Sequence, residues 1–167
     1  MHCFKHTLLA ALGALSIAAH AVHAADTPAA APVARPAAAP VASVSERLAS
    51  ARQAIEQKDW DRALSQLNLA AREQPRNADV HNLLGYSHRK RATPDLGKAF
   101  EHYQTALRRD PSHKGAHEYI GEAYLMDRRP AEAEKHLSQL EAICGNKTCE
   151  EYADLAQAIA SYRAKNP

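Results

Sequence analysis

Aromatic residues make up only 5% of this 167-residue chain, and glycine occurs six times. With alanine abundant instead, that scarcity favours closely packed helices over sheet. Charge of one sign is not in excess: 21 Lys and Arg stand against 19 Asp and Glu. The balance gives no electrostatic reason to expect nucleic acid or an anionic membrane surface as a partner. Catalytic signatures are missing too. There is no nucleophile elbow, no glycine-rich phosphate loop and no His-Glu-x-x-His, so no enzyme activity is expected. Cysteine is sparse at three, and none of them forms the Cys-x-x-Cys that redox or haem-attachment chemistry uses. An apolar content of 46% is still enough for one domain with a modest core.

The apolar stretch near the start, Thr7–Ala19, is too short to span a bilayer comfortably. Lys5 and His6 precede it, and Val22 and Ala24 supply the −3 and −1 positions of a cleavage site. Residues 1–24 therefore read as a secretory signal peptide, with an uncleaved anchor as the rival. No cysteine sits just after the apolar run, which argues against a lipid anchor. Removal of Lys5 with that segment leaves a net charge of +1 and no integral membrane span. Cys144 and Cys149 remain in the mature chain. An exported location fits, a bacterial periplasm best of all. Residues 25–42 carry four prolines among alanines and read as an extended, disordered linker, either a spacer or a passive leader.

The folded part begins at Ser43, where Ser43-Val44-Ser45-Glu46 has the form of a capping box. Helical stripes follow at Leu48, Ala51 and Ile55, and then at Ala63, Leu67 and Ala70 up to Pro75. Asp59-Trp60 separates these two. Asn77 is expected to cap a third helix, Thr93-Pro94 to start a fourth, Ser112 to cap a fifth and Pro130 to start a sixth. The fourth helix carries Ala99, Tyr103 and Ala106 on one stripe and ends before Pro111. Ala63, Ala99 and Ala133 correspond, as do Gly85 and Gly121. The spacings differ by two residues, which places an insertion in the turn Arg91–Asp95.

A period of 34 with this pattern resembles the tetratricopeptide repeat family. Leu84-Gly85 and Ile120-Gly121-x-x-Tyr124 are similar to its first-helix signature, and Ala-x3-large-x2-Ala-x4-Pro recurs at Ala63–Pro75 and Ala99–Pro111. The first unit departs from it with Ala51 and Ala54, the second with His88, and the third has Gly145 in place of a closing proline. The resemblance implies an all-α superhelix of three helical hairpins over 43–145, at about 44–77, 78–113 and 114–145. Residues 146–167 then hold a capping helix and tail. Thr148-x-x-Glu151 is expected to box the start of that helix, and Tyr152, Leu155, Ala156, Ile159 and Tyr162 to form its apolar face.

Cys144 and Cys149 enclose Gly-Asn-Lys-Thr, and in an oxidising compartment a disulfide is the default. Six histidines follow the signal segment: His81, His88, His102, His113, His117 and His136. His113 and His117 lie one turn apart, yet no further ligands complete a metal site, so the histidines read as structural and no cofactor is expected. Arg89-Lys90-Arg91 reads as a solvated helix end. The family's concave face commonly holds an extended peptide or a partner's helix. By that resemblance the groove would present Arg52 from the first unit, Asn82, Tyr86, Arg89 and Lys90 from the second, and Glu118, Glu122 and Met126 from the third. The reading is a non-catalytic interaction scaffold for a protein or peptide, short enough to dimerise through an end. A metal- or haem-handling envelope protein is the alternative, and a thiol–disulfide redox partner is a weaker one.

Overall fold

The computed structural model describes residues 42–167. The signal peptide and nearly all of the Ala/Pro linker read from the sequence lie outside the described residues. Among these are seven α-helices: α1 (Val44–Glu56), α2 (Trp60–Glu73), α3 (Ala78–Lys90), α4 (Leu96–Arg109), α5 (Lys114–Met126), α6 (Pro130–Cys144) and α7 (Glu150–Lys165). The all-α architecture expected from the periodicity is the one observed. Helices pair as hairpins α1–α2, α3–α4 and α5–α6, and each second helix also packs on the first helix of the next hairpin. α7 packs on both α5 and α6, where the first helix of a fourth hairpin would sit.

Local chemistry sets the helix starts. Ser43 and Glu46 form the reciprocal capping box, Ser43 Oγ accepting from the Glu46 amide and Glu46 accepting from the Ser43 amide. Asp59 and Asp95 hold equivalent places and cap α2 and α4 through the amides of Arg62 and Lys98. Each such bond contributes about 1 kcal/mol. Three expected starts move by one or two residues. Asp95 displaces Thr93-Pro94, because an ionised carboxylate is the stronger acceptor at a helix N-terminus. His113, not Ser112, caps α5 by accepting from the Ala116 amide at Nδ1. At α7 the cap position is Cys149, whose side chain makes no capping hydrogen bond. Thr148 instead donates from its amide and its hydroxyl to Asn146 Oδ1 in the preceding turn. The α3–α4 turn is longer than the other two intra-hairpin turns, as the insertion requires. The short turns need a left-handed residue, Lys58 at φ 57° and Arg128 at φ 59°.

The core runs along the stack in three patches, α1–α2–α3, α4–α5 and α5–α6–α7. Its largest fully buried side chain is Tyr103, whose ring packs against Gly85. A Cβ at Gly85 would stand 2.6 Å from the Tyr103 ring. Gly121 plays the same part against a different partner: a Cβ there would stand 2.6 Å from Leu155 of α7, so this glycine lets the last helix close on α5. Gly85→Ala is therefore expected to lower stability by about 1–3 kcal/mol through overpacking. Gly97→Ala, with nothing nearer than 3.6 Å, is neutral or stabilising by up to about 1 kcal/mol. Urea unfolding midpoints check both, and an unchanged midpoint for Gly85→Ala contradicts the packing described.

Candidate functional site

The first helices α1, α3 and α5 share one face, and repeat register puts Arg52, Tyr86 and Glu122 at equivalent positions on it. Between these helices lies an open depression of about 220 Å³ lined by Arg52, Ile55, Glu56, Leu83, Tyr86 and Tyr119. The Tyr86 and Tyr119 rings meet at 4.8 Å in a tilted pair. Its walls are aromatic and aliphatic, and its rim carries one cation and one carboxylate. That mixture suits an extended chain offering both apolar side chains and backbone polar groups.

Behind the depression Arg89 is turned inward and only 4% exposed. Its guanidinium carbon stands 5.4 Å from the Tyr86 ring centre and 5.5 Å from that of Tyr119. Nε donates to Tyr103 Oη at 3.2 Å, and Nη1 pairs with Glu122. One side chain thus ties α3, α4 and α5 together. Removing one partner of a buried pair such as this strands the other charge, at a cost of about 3–5 kcal/mol. The same burial pushes the Tyr119 phenol up to about 12, with Glu118 adding to the effect.

The residues expected in the groove divide into three groups. Arg52 and Tyr86 line the depression, and Lys90 is exposed, its ammonium 5.8 Å from the Tyr86 ring centre. Asn82, Arg89 and Glu118 are buried, so their side chains are not offered to a ligand. Asn82 packs against Gly115 of α5. Glu122 is half-buried and occupied by Arg89, while Met126 is exposed but does not line the depression. Sequence reasoning missed Ile55, Glu56, Leu83 and Tyr119. The available signal was register, since Leu83 and Tyr119 lie 36 residues apart at equivalent positions.

His113 and His117 are not brought together. His113 Nε2 meets Asp79 at 3.1 Å, whereas His117 faces His136. Cys144 and Cys149 are joined by a disulfide that links the end of α6 to the cap position of α7. Among the described residues the one cluster of three close metal-type donors is Cys144, Cys149 and Glu151, and its sulfurs are consumed in that bond. No helix among the described residues is long and apolar enough to cross a membrane.

Glu118 is the most perturbed carboxyl on this face. Burial raises it to about 8, helped by repulsion from Glu122, Asp154 and Glu151. Its folded-state pKa lies above the unfolded value, so its contribution to stability is full below about pH 4.5. That contribution is lost as pH rises towards 8. Glu118→Gln, neutral at every pH, should gain stability relative to the parent chain progressively over that window and level off above it. Chemical denaturation from pH 4 to pH 9 checks this, and a pH-independent difference contradicts it.

Comparison with known proteins agrees with this architecture. The tetratricopeptide repeat family matches residues 48–104 and 95–146. Among solved structures, the TPR2B domain of yeast Sti1, seen in its complex with pHsp70, superposes with a TM-score of 0.65. That match covers 74% of this chain and 98% of that one at 14% identity, a likeness of fold alone. No curated protein sequence matches the chain at a significant level. The helical hairpins, their period and the family match over most of the folded region make this chain a member of the tetratricopeptide repeat family.

Proposed function

We propose that this chain is an exported, non-catalytic scaffold of the bacterial cell envelope, holding a peptide or partner protein against the face of its first helices. The observation that carries the reading is the open tyrosine-lined depression between α1, α3 and α5. Tyr86 and Tyr119 are held in place by the buried Arg89, so little side-chain freedom is lost when a ligand covers them. The yeast Sti1 domain of similar fold was solved as a complex with pHsp70, which is consistent with an interaction role here. Export is supported by the N-terminal pattern of Lys5, Thr7–Ala19, Val22 and Ala24. It is also supported by a cysteine pair that an oxidising compartment would keep bonded. The disulfide closes a short loop, which stabilises by about 2 kcal/mol on chain-entropy grounds and pins α7 over the end of the stack.

The test uses the chain as bait in envelope extract beside an Arg52→Glu, Lys90→Glu variant. Both residues are exposed, so the reversal spares the fold, whereas reversing Arg89 would strand a buried charge. Partner recovery should fall at least tenfold in the variant, and the purified bait should have the mass of a chain starting at residue 25 with no free thiol. Identical partner recovery by both baits overturns the binding face. A full-length mass with two free thiols in the folded part overturns the export.

A further inference from the structure

Two hairpins carry the same four-part arrangement of rings and carbonyl. In the second, His81 of α3 faces His102 of α4, Nδ1 to Nδ1 at 3.2 Å, and His81 Nε2 lies 3.1 Å from the Pro75 carbonyl. In the third, His117 of α5 faces His136 of α6, Nδ1 to Nδ1 at 2.9 Å, and His117 Nε2 lies 2.9 Å from the Pro111 carbonyl. The outer ring is stacked in each case, His102 on His88 and His136 on Tyr124. Pro75 and Pro111, His81 and His117, and His88 and Tyr124 are all 36 residues apart, and His102 and His136 are 34 apart, which is the repeat register throughout.

A carbonyl can only accept, so Nε2 of His81 and of His117 must carry its proton. In the neutral pair the Nδ1 lone pair of each therefore points at the partner ring. This is how proteins orient a metal-binding imidazole, with the distal N–H held by a backbone carbonyl. Two imidazole nitrogens at about 2.0–2.1 Å from one cation stand about 3.3 Å apart at a tetrahedral angle and about 2.9 Å apart at a right angle. Both observed separations fall in that range.

We propose that the His81–His102 and His117–His136 pairs are two repeat-related sites for a late first-row divalent cation, Zn²⁺ or Cu²⁺, held between the facing Nδ1 atoms. Without metal, the outer ring donates Nδ1–H across the pair. On binding, that proton leaves Nδ1 and a proton is taken up at Nε2 of the same ring through water, so neither imidazole gains charge. His102 and His136 are half-buried, which leaves a path for the cation and for the waters that complete its coordination. Glu101 and Lys98 act on His102, and Glu132 and Lys135 on His136, so each site has a carboxylate and an ammonium near it. The first hairpin supplies an internal contrast. Arg47 and Gln66 hold the equivalent positions there, with Arg47 donating to Gln66 at 3.5 Å, and a guanidinium has no lone pair to give.

The test is calorimetric titration of the untagged full chain with ZnCl₂ at pH 7.5, beside His102→Gln, His136→Gln and the double variant. Glutamine is already the residue of the first hairpin at this position. Each single variant should lose one equivalent of zinc and the double variant two, while His113→Gln keeps the parent stoichiometry. CuCl₂ should give the same pattern with tighter binding. A double variant that binds as much zinc as the parent overturns the proposal. Side-chain ¹⁵N spectra of the unaltered chain test it without mutation. Zinc should shift Nδ1 of His81, His102, His117 and His136, and a response confined to His113 or to Nε2 atoms overturns it.

Discussion

A single buried guanidinium holds the middle of this stack in register. Arg89 leaves α3 beneath two tyrosine rings, donates to the phenol of α4 and pairs with a carboxylate of α5. Two of its three nitrogens, Nε and Nη1, are engaged and Nη2 is buried without a partner, so the interior holds this charge through those two contacts and its position is unforgiving. Much else depends on it. Tyr103 cannot swing away from Gly85 without breaking the bond to Arg89, and Tyr86 and Tyr119 cannot close their depression without displacing the cation beneath them. The face that would meet a ligand is thus set by the same side chain that aligns the helices behind it.

Much of the fold was legible because repeats state their geometry more than once. Ala99, Tyr103 and Ala106 lie fully buried on α4, as one stripe required. Asn77 caps where short-range chemistry says it should, and Asp59-Trp60 marks the break between α1 and α2, with Asp59 as the cap. Where several polar residues crowd one turn, the outcome depends on which acceptor reaches the free amides, and local pattern pointed to Ser112 and Thr93 where His113 and Asp95 do the capping. Gly121 shows a second kind of limit. Its match to Gly85 was visible, but its contact is with Leu155 of the final helix. No repeat alignment foretells which neighbour fills a notch.

The candidate site was less legible, for a physical reason. A surface helix position says which way a Cβ points but not where a long side chain ends. Arg89 reads as a groove residue by position and is captured by Tyr103 and Glu122, partners 14 and 33 residues further along. Asn82 and Glu118 share a register position and are both buried, because α5 and α7 close over the face that pattern alone leaves open. The histidines were half legible: His81 and His117 lie 36 residues apart in the repeat register, but their partners His102 and His136 become visible only when each hairpin is folded.

Native-state hydrogen exchange tests the central place of Arg89 most directly. The slowest amides should lie in α3, α4 and α5 and exchange at a single opening free energy, and Arg89→Met should speed all three helices together. A slowest core in α1–α2 or in α6–α7, or an effect of Arg89→Met confined to α3, would contradict the account.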